Sequence, residues 1–184
     1  MPDTAILEVA YRTILSELGE ADREGTHRTP HRAAKAIVEM TSGYHVNIDD
    51  LFTTFDSEGY DEMVVEHGIP FVSLCEHHLL PFTGTVAIGY IPIDRVVGLS
   101  KLARLVEAFS RRLQVQERMT KQISDAIETN LMPLGSIVVI EAEHSCMSCR
   151  GVRTHGVQAV TSQLRGLLKL DAAARAEALT LMRR

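Results

Sequence analysis

The chain has 184 residues and a formal net charge of −5, and 45% of its residues are hydrophobic and 23% charged. This length accommodates one domain with a sizeable core, and the composition excludes a disordered or fibrous chain. No apolar run approaches the ~18 residues of a membrane span, and the N-terminus lacks the basic region of a signal peptide. The acidic balance argues against nucleic acid as a partner. We therefore expect a cytoplasmic protein that contacts neither membrane nor nucleic acid and binds any anion through local cations.

Hydrophobic periodicity predicts two helices within about the first 45 residues. The first covers about residues 4–18, where apolar side chains recur every three or four positions. The second begins with Thr29 as its N-cap, carries Pro30 in its first turn and ends near Gly43. We expect these helices to form an N-terminal helical part of the domain.

The rest of the chain predicts strands on either side of a helix pair. The β-rich segments lie at 63–66, 69–74, 83–91, 136–146 and about 157–164. The predicted helices run from the N-cap Ser100 to about Leu113, over about 115–131 before Pro133, and from Asp171 onward. Because strands and helices do not alternate, we expect an α+β fold, with an antiparallel sheet and helices on one face. Residues 1–184 would form a single domain, with the sheet part at about 60–184.

All three cysteines lie in two short clusters that also contain histidine. Cys75 and His78 stand at C-x-x-H spacing in SLCEHHLLPF, and Cys146 and Cys149 stand at C-x-x-C spacing in EAEHSCMSCRGV. Thiolates and imidazoles at such spacing are typical zinc ligands. An odd number of cysteines without an export signal argues against a disulfide framework. The sequence therefore predicts a zinc site.

The number of ligands separates two kinds of zinc site. Four protein ligands would make a closed, structural Cys3His site, whereas three would leave a position for the water that catalysis requires. We expect the strand over 136–146 to place His144 and Cys146 on one face, because side chains alternate along a strand. His77 and His144 would then be spare histidines beside the metal, as general acid–base groups are, although His77 taken alone favours a packing or surface role.

Basic residues near a helix N-terminus form a second pattern. Lys101 and Arg104 follow Ser100 on one face of the predicted helix, and a helix N-terminus beside two cations is a favourable phosphate site. Arg150 and Arg32 could add bidentate phosphate contacts, while each basic residue taken singly is better explained as a surface charge.

Gln116 and Glu117 open the next predicted helix. A carboxylate complements the two N–H donors on the N1 and N2 edge of guanine, whereas spacing alone favours an electrostatic role for Glu117 at the helix N-terminus. The sequence contains neither a Rossmann fingerprint nor a P-loop.

Three long segments resemble the zinc-dependent GTP cyclohydrolase I family: SLCEHHLLPFTG, GLSKLARLVEAFSRRLQVQERMTKQI and EAEHSCMSCRGV. With REGTHRTPHRAAKAI, the resemblance covers about residues 20–170. It implies a tunnelling fold, a homodecamer of two stacked pentamers, and active sites between subunits. It also implies a reaction, in which hydrolysis opens the imidazole ring of GTP, formate is released and 7,8-dihydroneopterin triphosphate forms.

The resemblance further implies a role for each candidate residue. The zinc ligands would be Cys75, His78 and Cys146, and the acid–base pair would be His77 and His144. The guanine contacts would be Gln116 and Glu117. The triphosphate contacts would be Lys101, Arg104, Arg150 and Arg32, some from a neighbouring subunit, with Ser100 near the ribose or phosphates. Cys149 departs from the family pattern, which has a residue unable to bind metal there, so a fourth thiolate ligand is conceivable.

Two alternative functions stay open on the sequence. One is a structural zinc protein with a closed Cys3His site that includes Cys149. The other is a related tunnelling-fold enzyme acting on another purine or pterin, which would need neither the zinc nor the triphosphate cations. The cysteines together with Lys101 and Arg104 favour the cyclohydrolase.

Overall fold

The chain begins with two helices that pack against each other in the computed structural model, which describes residues 2–183. They are α1 (Thr4–Glu17) and α2 (Thr29–Met40), close to the predicted bounds. Asp3 caps α1 by accepting a hydrogen bond of 2.8 Å from the backbone N–H of Ala5. The predicted cap of α2 is wrong, because Arg28 takes the N-cap position and Thr29 is the first helical residue.

The centre of the domain is a five-stranded sheet, with a separate two-stranded sheet beside it. The strands are β1 (Thr54–Asp56), β2 (Val64–Cys75), β3 (Pro81–Ile91), β4 (Arg95–Val97), β5 (Leu113–Gln114), β6 (Gly135–His144) and β7 (Gln158–Arg165). The large sheet has the spatial order β5-β2-β3-β6-β7, and β1 pairs with β4. Every pairing is antiparallel except that of β2 with β5.

Two long helices cover one face of this sheet. They are α3 (Leu99–Ser110), which packs on β2, and α4 (Gln116–Leu131), which packs on β6 and β7. Alternate residues of β3 and β6 point into the core beneath them, with Val86, Ile88, Val138 and Ile140 fully buried. The α+β architecture predicted from the sequence is confirmed.

Three shorter helices complete the fold. They are α5 (Ser145–Ser148), α6 (Gly166–Leu170) and α7 (Ala172–Met182). Asp171 caps α7 by accepting hydrogen bonds from the backbone N–H groups of Ala173 and Ala174. Leu168 and Ala178 pack with Ile137 in a small second cluster, on the sheet face opposite α3 and α4. No helix of the described residues is both long and apolar enough to cross a bilayer.

Two boundaries differ from the sequence prediction for local reasons. The segments 63–66 and 69–74 form the single strand β2, whose register with β3 shifts at a bulge between Glu66 and Ile69. Gly68 has a φ of 73° there, a left-handed conformation that glycine adopts at little cost. The predicted cap of α3 is also wrong, since Gly98 occupies the N-cap position and the Ser100 side chain makes no cap.

Candidate metal and catalytic site

A tight turn between β2 and β3 carries the first candidate ligands. The backbone N–H of Cys75, the last residue of β2, donates to the Leu80 carbonyl at 2.8 Å, and the N–H of Leu79 donates to the Cys75 carbonyl at 2.8 Å. Leu79 has a φ of 54°, an uncommon conformation for a residue with a side chain. The turn places the Nδ1 atoms of His77 and His78 at 3.8 and 3.7 Å from the Cys75 sulphur.

The remaining ligand comes from the segment after β6. The antiparallel pairing of β3 with β6 sets Phe82 opposite His144, the last residue of β6. The chain then enters α5, so the prediction that Cys146 lies on the strand face of His144 is wrong. From this helical turn Cys146 still reaches the first segment. The ligand atoms of Cys75, His78 and Cys146 lie within 4.8 Å of one another.

This donor set fits a zinc ion. Two thiols and one imidazole are ligands that zinc prefers, and Cys75 is buried while His78 is exposed at the rim. Burial raises the pKa of the Cys146 thiol, and the adjacent Cys75 raises it further. A divalent cation would stabilise both thiolates at once. Cys149, exposed at the end of α5, is outside this group of ligand atoms.

His144 is held on two sides. Its ring stacks on the fully buried Phe82 ring, with centroids 4.6 Å apart and planes 3° from parallel. Its Nε2 lies 2.9 Å from Oε1 of Gln116. Burial lowers the pKa of His144, and the Glu117 carboxylate partly opposes this shift. The imidazole of His144 is therefore neutral at neutral pH. In the sequence, His144 lies two residues before the candidate ligand Cys146.

Gln116 occupies a different environment from the one implied by the resemblance. Only 2% of its surface is exposed, and its amide nitrogen donates to the backbone carbonyls of Ile140 and Ala159 at 3.0 and 2.9 Å. Both polar ends of this side chain thus have partners within the subunit, so it has no free group to offer guanine. Glu117, in the first turn of α4, is exposed.

The candidate phosphate residues lie on several elements. Arg150 follows α5 and is close enough to lower the pKa of the Cys146 thiol. Lys101 and the exposed Arg104 lie on α3, where Arg104 lines a groove of about 440 Å³ against β2 that contains none of the candidate zinc ligands. Arg32 is exposed on α2, and Ser100 is exposed in the first turn of α3. The structure therefore places Arg150 beside the candidate zinc ligands. The other candidate phosphate residues lie on elements that carry none of these ligands.

Two residues beside the cluster had no signal in the sequence analysis. Phe82 lies just before the predicted strand at 83–91, and its stacking on His144 depends on the β3–β6 register. Glu76 lies between Cys75 and His78 in the sequence. Its Oε1 is 3.9 Å from Nε2 of His77, and its other oxygen pairs with Arg118 of α4. The Arg118 partner could not be inferred from local spacing.

Comparison with known proteins decides the family. Residues 7–183 match the model of the family described as GTP cyclohydrolase I. The chain belongs to the GTP cyclohydrolase I family. This membership confirms the resemblance read from the sequence and the tunnelling fold expected with it.

Relatives named GTP cyclohydrolase 1 match almost the whole chain. The protein of Brevibacillus brevis is 48% identical over 179 residues, covering 96% of each chain. That of Mycobacterium bovis is 51% identical over 180 residues, covering 96% of this chain and 89% of the relative. That of Dictyostelium discoideum is 48% identical over 179 residues, covering 96% and 77%. The chain is thus similar to GTP cyclohydrolase I proteins of bacteria and of a eukaryote.

Proposed function

We propose that this chain catalyses the GTP cyclohydrolase I reaction, which hydrolytically opens the imidazole ring of GTP and yields formate and 7,8-dihydroneopterin triphosphate. The observation that carries the proposal is the convergence of Cys75, His78 and Cys146, the last of which follows His144 by two residues in the chain. It occurs in a chain about half identical, over nearly its full length, to proteins named GTP cyclohydrolase 1.

Cys75, His78 and Cys146 would hold zinc. The ion supplies a Lewis acid at which water is activated at neutral pH. Three protein ligands leave a coordination position for that water, whereas a fourth would close the site. Cys149 lies outside the group of ligand atoms, which supports the catalytic site over the closed Cys3His alternative.

His77 and His144 would exchange protons with the guanine ring and its hydrolysis products. A neutral imidazole can accept a proton from one group and return it to another. Burial keeps His144 in this neutral form. His77 is exposed on the turn and lies where a substrate from solvent would reach it.

Glu117 would hold the base and the cations would hold the triphosphate. The exposed carboxylate of Glu117 would accept hydrogen bonds from N1–H and N2–H of guanine, close to His144. Arg150 would contact the substrate from beside the zinc ligands. Lys101, Arg104 and Arg32 would complete the triphosphate site, some of them from a neighbouring subunit, with Ser100 near the ribose or phosphates. Binding of the triphosphate, which is remote from C8 of the guanine ring, would position that carbon for attack.

A homodecamer of two stacked pentamers would bring these parts together. Within the described residues β7 is one of the two outer strands of the sheet, and 59% of Val160 on it is exposed. An outer strand of eight residues has no strand partner on one side, where a neighbouring subunit can pair with it. We expect light scattering after size exclusion to give the decamer mass. We also expect the protein to work in the cytoplasm, where its thiols stay reduced.

The direct test is turnover of GTP by the purified protein. We expect formate release and, after oxidation, a fluorescent pterin, both lost after zinc is chelated and restored when zinc is returned. Stoichiometric zinc without turnover would favour the structural zinc protein. Turnover of another purine or pterin in place of GTP would favour the related enzyme.

A further inference from the structure

The orientation of the Gln116 amide is fixed by its partners. One end of the amide faces the backbone carbonyl oxygens of Ile140 and Ala159, at 3.0 and 2.9 Å. Carbonyl oxygens only accept hydrogen bonds, so the end that faces them must be the NH2 group. The Thr161 hydroxyl, at 3.2 Å, is a further acceptor for the same group. The Gln116 oxygen must therefore point the other way.

That oxygen fixes the protonation of His144. Oε1 of Gln116 lies 2.9 Å from Nε2 of His144, and an amide oxygen only accepts. Nε2 must then carry a hydrogen. A neutral imidazole has a single N–H, so Nδ1 of neutral His144 carries the lone pair.

The surroundings prevent this arrangement from reversing. Gln116 is 2% exposed, so a flipped amide would set its oxygen against two carbonyl oxygens in a buried environment. The Thr120 hydroxyl donates to the Gln116 carbonyl at 2.8 Å and lies 2.7 Å from the Thr161 hydroxyl, which ties the start of α4 to β7. The stacked Phe82 ring holds the plane of the imidazole.

We propose that Gln116 is a positioning residue that keeps a proton on Nε2 of His144 and reserves Nδ1 as the nitrogen that exchanges protons during the reaction. When Nδ1 takes a proton, the imidazolium keeps its Nε2–H bond to Gln116, and release from Nδ1 restores the neutral ring. The Gln116 side chain reads no part of the guanine. The role of Nδ1 rests on the proposed function, whereas the position of the proton does not.

The position of the proton can be measured on the unaltered, zinc-loaded protein. We would label its histidines with 15N and record solid-state NMR spectra, assigning His144 by the signals lost in His144→Gln. We expect Nε2 of His144 to give the signal of a protonated nitrogen and Nδ1 that of an unprotonated one. A proton on Nδ1 with none on Nε2 overturns the proposal, whatever the variants do.

The catalytic consequence is tested with Gln116→Leu. We expect kcat to fall roughly 10- to 100-fold, as when a partner that orients a site histidine is lost, with KM for GTP within about twofold and zinc content unchanged. Gln114→Leu is the matched control, since Gln114 is 1% exposed and its amide also donates to a backbone carbonyl, that of Phe109, without touching a histidine. We expect this control to keep kcat.

Other results would refute the role of Gln116. A raised KM with unchanged kcat in Gln116→Leu would show that the side chain binds the base, and an equal loss of kcat in Gln114→Leu would show a general packing effect. If the unaltered protein carries the proton on Nε2 but forms no pterin from GTP, the proposed function fails while the hydrogen-bond assignment stands.

Discussion

Replacing Phe82 with leucine tests how much the ring stacked on His144 contributes to stability and to catalysis. Phe82 is fully buried and makes two ring contacts, a parallel one with His144 at 4.6 Å and an edge-to-face one with Phe71 at 5.7 Å. A ring pair contributes about 0.5–1.5 kcal/mol beyond area burial. Loss of both pairs would lower the free energy of unfolding by about 1–3 kcal/mol.

The effect of Phe82→Leu on catalysis cannot exceed the free energy that the ring stacking contributes. If the whole contribution of about 0.5–1.5 kcal/mol from the His144 pair serves to hold the imidazole in its reactive plane, Phe82→Leu lowers kcat about 2- to 13-fold. We expect zinc content to stay the same, because none of the three candidate ligands is removed.

Phe109→Leu provides the control for these measurements. Phe109 is 6% exposed in the same core, and its ring lies 4.7 Å from the Arg112 guanidinium, not against a histidine. We would measure unfolding in denaturant, pterin formation and zinc content for both variants. We expect both to be less stable and only Phe82→Leu to lose kcat. An equal loss of kcat in Phe109→Leu, or a destabilised Phe82→Leu with full kcat, would refute the reasoning.

Other substitutions test the ligands, the base, the phosphates and a half-buried carboxylate. Cys146→Ser is expected to lose zinc and activity, and Cys149→Ser is expected to keep both. Elemental analysis measures the zinc and pterin fluorescence the activity. Zinc loss in both variants would mean a closed Cys3His site. Glu117→Gln is expected to raise KM for GTP at least about fivefold with zinc and assembly intact, since an amide cannot accept from both guanine donors; unchanged kinetics would remove Glu117 from the site. Arg104→Ala is expected to raise KM about tenfold or more, and guanosine to be a poor substrate; equal use of guanosine and GTP would contradict the assignment. Glu66 has a buried, unpartnered Oε2 and burial raises its pKa, so its charge destabilises the fold at neutral pH and this penalty disappears as the pH falls through the raised pKa. The variant E66Q is thus expected to unfold at a higher temperature than the unaltered protein at neutral pH but not below about pH 4, where the carboxyl is protonated in both states; an equal gain at both pH values would exclude charge as the cause.

Periodicity and spacing predicted those parts of the molecule that depend on near neighbours. The helices α1 and α4 and the start of α7 near Asp171 follow from local patterns, and the structure has them close to the expected residues. The C-x-x-H spacing predicted, for the same reason, that Cys75 and His78 lie close together, because a single turn brings them together.

The errors arose where distant or backbone contacts decide the structure. Strand alternation predicted the direction of Cys146, but the chain leaves the strand after His144 and enters a helical turn. The resemblance implied that Gln116 contacts guanine, whereas its buried environment depends on the carbonyls of Ile140 and Ala159, on strands far away in the sequence. Side-chain chemistry shows what a residue can bind, whereas such long-range pairing determines what it does bind.

The pairing of β3 with β6 also orders the assembly of the site in time. Cys75 and Cys146 are about 70 residues apart, so a newly made chain presents the first ligands long before the last one exists. Closing a loop of this length has an entropic cost that the sheet must offset before the thiols can meet. We therefore expect metal capture to be a late event in the maturation of this protein, and a bound ion would join two distant segments and slow their separation.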